Sequence, residues 1–205
     1  STTSDVELLL GIERKDNAYS LAYPKLPLSL FSSSPATCTA ARSAGVSTVR
    51  ELSSDANARG EISSLLTSDE AQFVAVHVDY AVSEGHWLDS LIEELLPKRE
   101  VDGSGAVFIA VVKPCAAAEP ATELHPFRPR QSTDKFRGEY PEGNAGSRRL
   151  LLAFVHHDHT RRDEVQRFDA AHLDALGGGG YGAMSARALV QELAFRLGHA
   201  PKYGA

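Results

Sequence analysis

Hydrophobic residues are most continuous in the segment Phe73–Tyr80, whose first half is apolar and rich in valine. Such runs are typical of strands covered on both faces, as in the middle of a parallel sheet. Polar residues begin at His77 and continue to His86, where the helical pattern of Trp87–Leu96 starts. In α/β proteins, ligands bind beyond the carboxyl ends of such strands. We therefore expect a central strand here, with a candidate site at its polar end.

Two later apolar runs predict further strands, at Gly105–Lys113 and at Arg149–His156. Together with Phe73–Tyr80 and its helix, the first of them predicts a βαβ unit with a right-handed crossover. The sequence thus predicts an α/β fold with a mainly parallel sheet of four or five strands and helices on both faces.

Local signals predict the remaining elements. Capping residues and apolar periodicity predict helices at Asp5–Ile12, Ala36–Ala44, Glu61–Thr67 and Ser185–Leu197. Ser47–Leu52 is expected to be a short edge strand, and Asn57–Gly60 a loop. Tyr19–Leu30 contains two prolines, which are unfavourable in a central strand or a helix interior. We expect that segment to lie extended across the domain.

The segment Cys115–Gly146 is rich in proline, glycine and charge and has no periodicity. Long irregular segments inside a compact domain are usually functional or form an interface. We therefore predict two parts: an N-terminal extension, residues 1–34, that packs on the core, and an α/β domain, residues 35–205, with a long loop at 115–147.

Composition narrows the classes of partner. The 205 residues have a net charge of −6, which argues against a nucleic-acid partner because such proteins usually carry a basic surface. Basic residues do cluster at 128–137 and 148–162, so a local anion site stays open. No apolar run approaches the ~20 residues that span a bilayer, so we expect no membrane partner.

Two cysteines, Cys38 and Cys115, have no CxxC spacing. We expect reduced, partly buried thiols in a reducing intracellular compartment. That compartment is the cytoplasm, or an organelle or cilium if the chain belongs to a larger assembly. The N-terminal residues do not resemble a signal peptide.

Histidines supply the candidate metal ligands. His77 and His86 flank the polar strand end, where Asp79 or Glu84 could complete a single site. Catalytic zinc needs at least three protein ligands, so a hydrogen-bonding role for both histidines is favoured. Strand alternation places His157 and His159 on one face, which suits zinc, but no third ligand is evident. An exposed polar strand end is favoured there.

Two segments could bind an anion. Backbone N–H groups of Gly178, Gly179 and Gly180 could cradle a phosphate, although this run lacks the Lys and Ser/Thr of a P-loop. Arg128, Arg130 and Ser132 could form an anion pocket in the long loop. A structural turn and a solvated loop, respectively, are the favoured interpretations.

Several short motifs together resemble one known family. They are Ala40–Gly45, Asp55–Gly60, Phe73–Val78, Ser83–His86, Arg128–Ser132, Arg162–Val165 and the C-terminal segment Leu197–Ala205. In this order they resemble the cofactor-independent phosphoglycerate mutases of the archaeal and plant-like type, members of the alkaline phosphatase superfamily. The resemblance covers roughly residues 35–205.

That resemblance implies phosphoryl transfer through an enzyme serine and two divalent metals. His77, Gly85 and His86 match the family's central motif, but Asp79 stands in place of its lysine and Val82 in place of its acid. Lys113 and Pro114 end the next strand, where the family has an Asp-His pair. Nothing resembles the family's first strand or its serine loop. The resemblance therefore implies a truncated alkaline-phosphatase-like core that lacks most metal ligands.

From this we expect a pseudoenzyme, a non-catalytic member of that family that serves as a structural or interaction subunit of a larger assembly, with no cofactor. The missing strands would expose an apolar sheet edge, so we expect a protein partner or self-association to cover it. The alternative is a metal-dependent phosphoglycerate mutase or phosphatase, using Mn²⁺ or Mg²⁺, whose missing half is supplied by another chain. A small-anion binding module is a third, weaker possibility.

Overall fold

A computed structural model describes residues 4–13, 17–52, 55–66, 73–82, 85–95, 109–115, 149–155, 168–169, 171–172 and 186–199. The chain divides into two compact units. The first combines Ser1–Glu94 with Ala186–Ala205, and the second comprises Leu95–Ser185. The first unit is therefore built from two stretches of sequence that the second unit separates.

The first unit is organised on a three-stranded parallel sheet in the order β2-β1-β3. Its strands are β1 (Leu28–Ser32), β2 (Thr48–Glu51) and β3 (Phe73–His77). Its helices are α1 (Asp5–Leu10), α2 (Ala18–Ala22), α3 (Pro35–Ser43), α4 (Asp55–Leu66), α5 (Trp87–Leu95) and, after the 3₁₀ turn Ala186–Ala188, α6 (Leu189–Arg196). Parallel strands with intervening helices confirm the predicted α/β class.

All five residues of β1 are buried. Leu28 and Leu30 belong to a core cluster that also contains Ala41 of α3 and Val190 of α6. Alternation turns Phe31 to the other face of the sheet, where it is equally buried but lies outside that cluster. β1 is therefore covered on both faces and paired along both edges.

Local capping explains the helices that the sequence predicted best. Ser4 and Glu7 form a capping box at the start of α1, and Gly11 ends that helix in the left-handed conformation. The hydroxyl oxygen of Ser34 accepts a hydrogen bond from the Thr37 N–H at the start of α3, and Pro35 occupies the first turn. These contacts join residues three apart, so sequence signals alone identify them.

The expectation for Tyr19–Leu30 is wrong. Part of that segment is α2, and its end begins β1, the most buried strand of the sheet. Pro27 immediately precedes the strand, a position at which proline removes no hydrogen bond from the strand interior. The boundary predicted at residue 34 lies just past β1, so the stretch interpreted as an extension supplies the middle strand. β3, expected in the middle, lies at an edge of this three-stranded sheet.

Two other predictions need correction. Asn57–Gly60 belongs to α4 and is not a loop, because α4 begins six residues before the predicted Glu61. The predicted βαβ unit between β3 and the next strand is also wrong. That strand, β4 (Ile109–Cys115), pairs antiparallel with β5 (Arg149–Val155) in a separate two-stranded sheet of the second unit. The β2 edge strand, by contrast, is confirmed.

In the second unit, the ammonium group of Lys113 lies 4.9 Å from the ring centroid of Phe168, in cation–π geometry. The predicted long loop, 115–147, falls almost entirely outside the described residues. Among the helices that the structure describes, none is both long enough and apolar enough to cross a membrane.

Gly45 provides a test of the packing between α2 and α3. Its φ of +77° suits glycine, and a Cβ there would lie 2.8 Å from both the Asn17 Oδ1 and the Ser20 Oγ. We expect Gly45→Ala to lower the free energy of unfolding by about 1–3 kcal/mol, measured by urea denaturation.

Gly60→Ala is the matched control, because Gly60 lies inside α4 and no neighbouring atom lies within 4 Å of the position that an alanine methyl group would occupy. Replacing a glycine in a helix interior by alanine should raise the free energy of unfolding by about 0.5–1 kcal/mol. Equal effects of the two substitutions would contradict this account of Gly45.

Candidate functional site

The carboxyl ends of β1 and β3 meet at a topological switch point. From β1 the chain passes through α3 to β2 on one side, and from β2 it passes through α4 to β3 on the other side of β1. The direction of the connections thus reverses at β1, and in open α/β sheets ligands usually bind beyond the carboxyl ends of the strands at such a reversal. The candidate site predicted from the sequence lies on the β3 side of this edge and stays a prediction.

Ser32 and His77 are joined directly across the two strands. The sheet register pairs these residues, and the Ser32 Oγ lies 2.8 Å from the His77 Nδ1. The Ser34 N–H donates to the same Oγ at 3.1 Å. The Ser32 hydroxyl also lies 3.5 Å from the Ser34 carbonyl, so it can donate to that oxygen or to the imidazole, and the direction of the Ser32–His77 hydrogen bond follows the tautomer of His77. Ser32 is 0% exposed and His77 is half-buried, so the serine side of this contact is shielded from water.

Burial lowers the pKa of His77 from its ordinary value of 6.5, and the negative charge of Asp79 opposes that change in part. The desolvation effect is the larger one, so the neutral imidazole is favoured near pH 7. A neutral ring accepts or donates a hydrogen bond at Nδ1 according to its tautomer, and either form suits the Ser32 contact.

Asp79 and Ser33 join the two loops a second time. The Asp79 N–H donates to the Ser33 Oγ at 2.8 Å, and the Ser33 N–H donates to the His77 carbonyl at 3.0 Å. Asp79 takes part through its backbone and is itself exposed. The loop after β1 is thus fastened to the loop after β3 by three contacts that involve Ser32 and Ser33.

His86 directly precedes helix α5. Its Nδ1 accepts a hydrogen bond from the Leu88 N–H at 3.3 Å, and its carbonyl accepts one from the Asp89 N–H at 2.9 Å. Its Nε2 lies 3.3 Å from the Tyr80 hydroxyl, with the two rings in edge-to-face contact. Both ring nitrogens therefore have partners in the fold, and one of them satisfies an N–H group of the first helical turn.

The predicted metal ligands are only partly brought together. His77, Asp79 and His86 all follow β3, but within the described ranges no group of three or more His, Cys, Asp or Glu residues could hold a metal ion. His157, His159 and Glu84 lie outside the described residues. So do the anion-site candidates Arg128, Arg130, Ser132, Gly178, Gly179 and Gly180.

The sequence did not predict a role for the three serines at the end of β1, Ser32, Ser33 and Ser34. The available signal was a polar run directly before a helix, at the end of an apolar segment. Cys38 lies behind this turn, with its Sγ 3.8 Å from the carbonyl oxygens of Ser32 and Arg50. It is a free, buried thiol, as expected, and burial raises its pKa.

The geometry indicates what this edge can do chemically. A serine beside a histidine is the pair that nucleophilic catalysis uses, but the Ser32 side chain is fully buried and so cannot reach a substrate. His86 uses both ring nitrogens within the fold. The arrangement is therefore suited to holding two loops together.

Ser32→Ala tests the buried contact. The substitution leaves the Ser34 N–H and the His77 Nδ1 without their common partner, so we expect the free energy of unfolding to fall by about 1–3 kcal/mol. Ser43→Ala is the control, because the Ser43 hydroxyl is exposed and bonds only the Thr39 carbonyl of its own helix. That change should stay within about 0.5 kcal/mol, as surface substitutions usually do. Similar losses in both variants would show that the Ser32 contact has no special role.

The lowered pKa of His77 predicts a pH dependence. Below the ordinary value of 6.5 the unfolded chain binds a proton at this residue that the folded chain does not yet bind. Stability should therefore be retained above that pH and fall as the pH drops towards the lower pKa of the folded state. Urea unfolding from about pH 8 to pH 5 should show a steeper loss in the unsubstituted chain than in His77→Asn, which cannot titrate. Identical slopes would disprove the assignment to His77.

Comparison of the chain with protein-family models, with curated proteins and with solved structures found no match.

Proposed function

We propose that this chain is a non-catalytic protein of the phosphoglycerate mutase-like type, a pseudoenzyme that serves as a structural or interaction subunit. The observation that carries the proposal is the use of His86, which stands at a ligand position of the family that the chain resembles. Both of its ring nitrogens have partners in the fold, whereas the Nδ1 of His77, at the other such position, is bonded to a buried serine and leaves only Nε2 for an ion. A metal ligand must instead offer a ring nitrogen to the ion.

The chemistry of the edge also supports a non-catalytic role. A two-metal phosphoryl-transfer site holds its ions about 3.5–4 Å apart, and hard divalent cations prefer carboxylate oxygens. Asp79 is the one acidic residue in the described part of the loops after β1 and β3. A site with so few carboxylates would hold two such ions poorly.

The sheet provides the second reason to propose an interaction subunit. β3 is apolar from Phe73 to Val76 and lies at one edge of the first unit's sheet. Apolar edge strands without charged residues readily pair with another chain. We therefore propose that the partner of this subunit covers the β3 edge.

A second candidate function is a metal-dependent phosphoglycerate mutase or phosphatase, with Mn²⁺ or Mg²⁺ and a second chain that supplies the missing ligands. One observation favours it: burial keeps His77 neutral, and only its Nδ1 is hydrogen-bonded among the described residues. A neutral imidazole with one nitrogen remaining can bind a metal.

Metal titration and activity assays separate the two candidates. We expect no saturable Mn²⁺ or Mg²⁺ binding by calorimetry, because the described residues offer too few ligands. We expect no phosphoglycerate mutase or phosphatase turnover above that of His77→Asn/His86→Asn, the matched control. An active phosphoglycerate mutase in the same assay confirms its sensitivity. Turnover that requires the metal and disappears in the double variant would overturn the proposed function.

A further inference from the structure

The two edges of the sheet differ in charge. β2 carries Arg50 and Glu51, both exposed, and Arg50 forms a 3.0 Å ion pair with Glu61. Charged side chains on an edge strand discourage pairing with another chain. β3 has no acidic or basic residue except His77, and in the part of the chain that the structure describes it is hydrogen-bonded along one edge only, to β1.

The sheet geometry identifies the groups that face outward from β3. The Ser33 N–H donates to the His77 carbonyl, so the backbone groups of His77 face β1. The N–H and C=O of one residue lie on the same side of a strand, and the side alternates along the chain. Ala75 therefore also faces β1, whereas the N–H and C=O groups of Val74 and Val76 face the opposite edge.

We propose that this outer edge of β3 pairs antiparallel with β3 of a second copy of the chain. The two-fold axis passes between the two Ala75 residues. The inference rests on the proposed function and names the partner of the interaction subunit. In this register Val74 of one copy lies opposite Val76 of the other, and each such pair exchanges two N–H···O bonds. Every outward-facing backbone group of Val74 and Val76 is then satisfied in both copies.

Side chains and charge fit the same register. Ala75 meets its own counterpart at a non-hydrogen-bonded position, where the Cα atoms approach to about 4.5 Å and a methyl group fits well. His77 lies opposite Phe73 of the other copy, so no like charges are brought together along the strand. A two-fold interface requires a self-complementary surface, and the spacing of Val74 and Val76 about Ala75 provides one. The two sheets then form one six-stranded sheet.

The molar mass of the full chain in solution tests this pairing. Val74→Pro removes an outward N–H but no hydrogen bond to β1, because the backbone groups of Val74 face away from that strand. By size-exclusion chromatography with light scattering, we expect the unsubstituted chain at twice the mass of one chain and Val74→Pro at half that value. Circular dichroism should be unchanged.

Val49→Pro is the matched control on the other edge. The Leu52 N–H donates to the Ser32 carbonyl, so by the same alternation the backbone groups of Val49 face away from β1. The substitution therefore removes the same kind of outward N–H from β2. We expect Val49→Pro to keep the dimer mass.

A cross-link tests the register and does not depend on the proline variants folding. Ala75→Cys places two thiols across the two-fold axis, within the Cα separation that a disulfide bridges. Mild oxidation should give a covalent dimer well above the level of the unsubstituted chain. Val74→Cys is the control, because Val74 lies opposite Val76 and not opposite itself.

Each contrary outcome overturns the pairing. A monomeric unsubstituted chain excludes the dimer. The proposed pairing is then wrong even if a different protein covers β3. A dimer that persists in folded Val74→Pro, or that gives no Ala75→Cys cross-link, uses another surface. These results leave the non-catalytic function untouched, since only metal-dependent turnover contradicts that function.

Discussion

The first unit depends on the burial of β1. The strand has a neighbour on each edge and core residues on each face, so it removes apolar side chains from water more completely than any other strand of the sheet. Ser32 shares this burial at the strand's end, and a buried hydroxyl without partners costs free energy. Its contacts to His77 and Ser34 meet that requirement, and they also determine how the two loops at the carboxyl edge are held.

The same hydrogen bonds limit the chemistry of that edge. A histidine can bind a metal, transfer a proton or serve as a structural acceptor, and its partners determine which role is available. The Nδ1 of His77 is bonded to a buried residue, and His86 completes the first turn of α5. Both ring nitrogens of His86 and the Nδ1 of His77 are thus engaged within the fold. The proposed non-catalytic function rests on these hydrogen bonds, and the proposed pairing rests on the apolar edge of β3, which has no neighbour in the described part of the chain.

Prediction succeeded where the relevant contacts are local. Helices α1, α3 and α5 and strands β2 and β3 lie within a few residues of their predicted bounds, because capping and apolar runs are properties of neighbouring residues. The sequence did not identify the middle strand, because Pro27 argued against a strand at β1 and because no local pattern distinguishes a central apolar strand from one at an edge.

The sequence by itself determined the α/β class, the caps of α1 and α3, and the placement of His77 at a strand's carboxyl end and of His86 directly before a helix. Tertiary structure decided the strand order, the antiparallel pairing of β4 with β5, and the partners of both histidines. The physical reason is separation along the chain. Ser32 and His77 are 45 residues apart, and only the pairing of β1 with β3 brings a hydroxyl to that ring. Local patterns specify elements, whereas burial and strand pairing choose which of them meet.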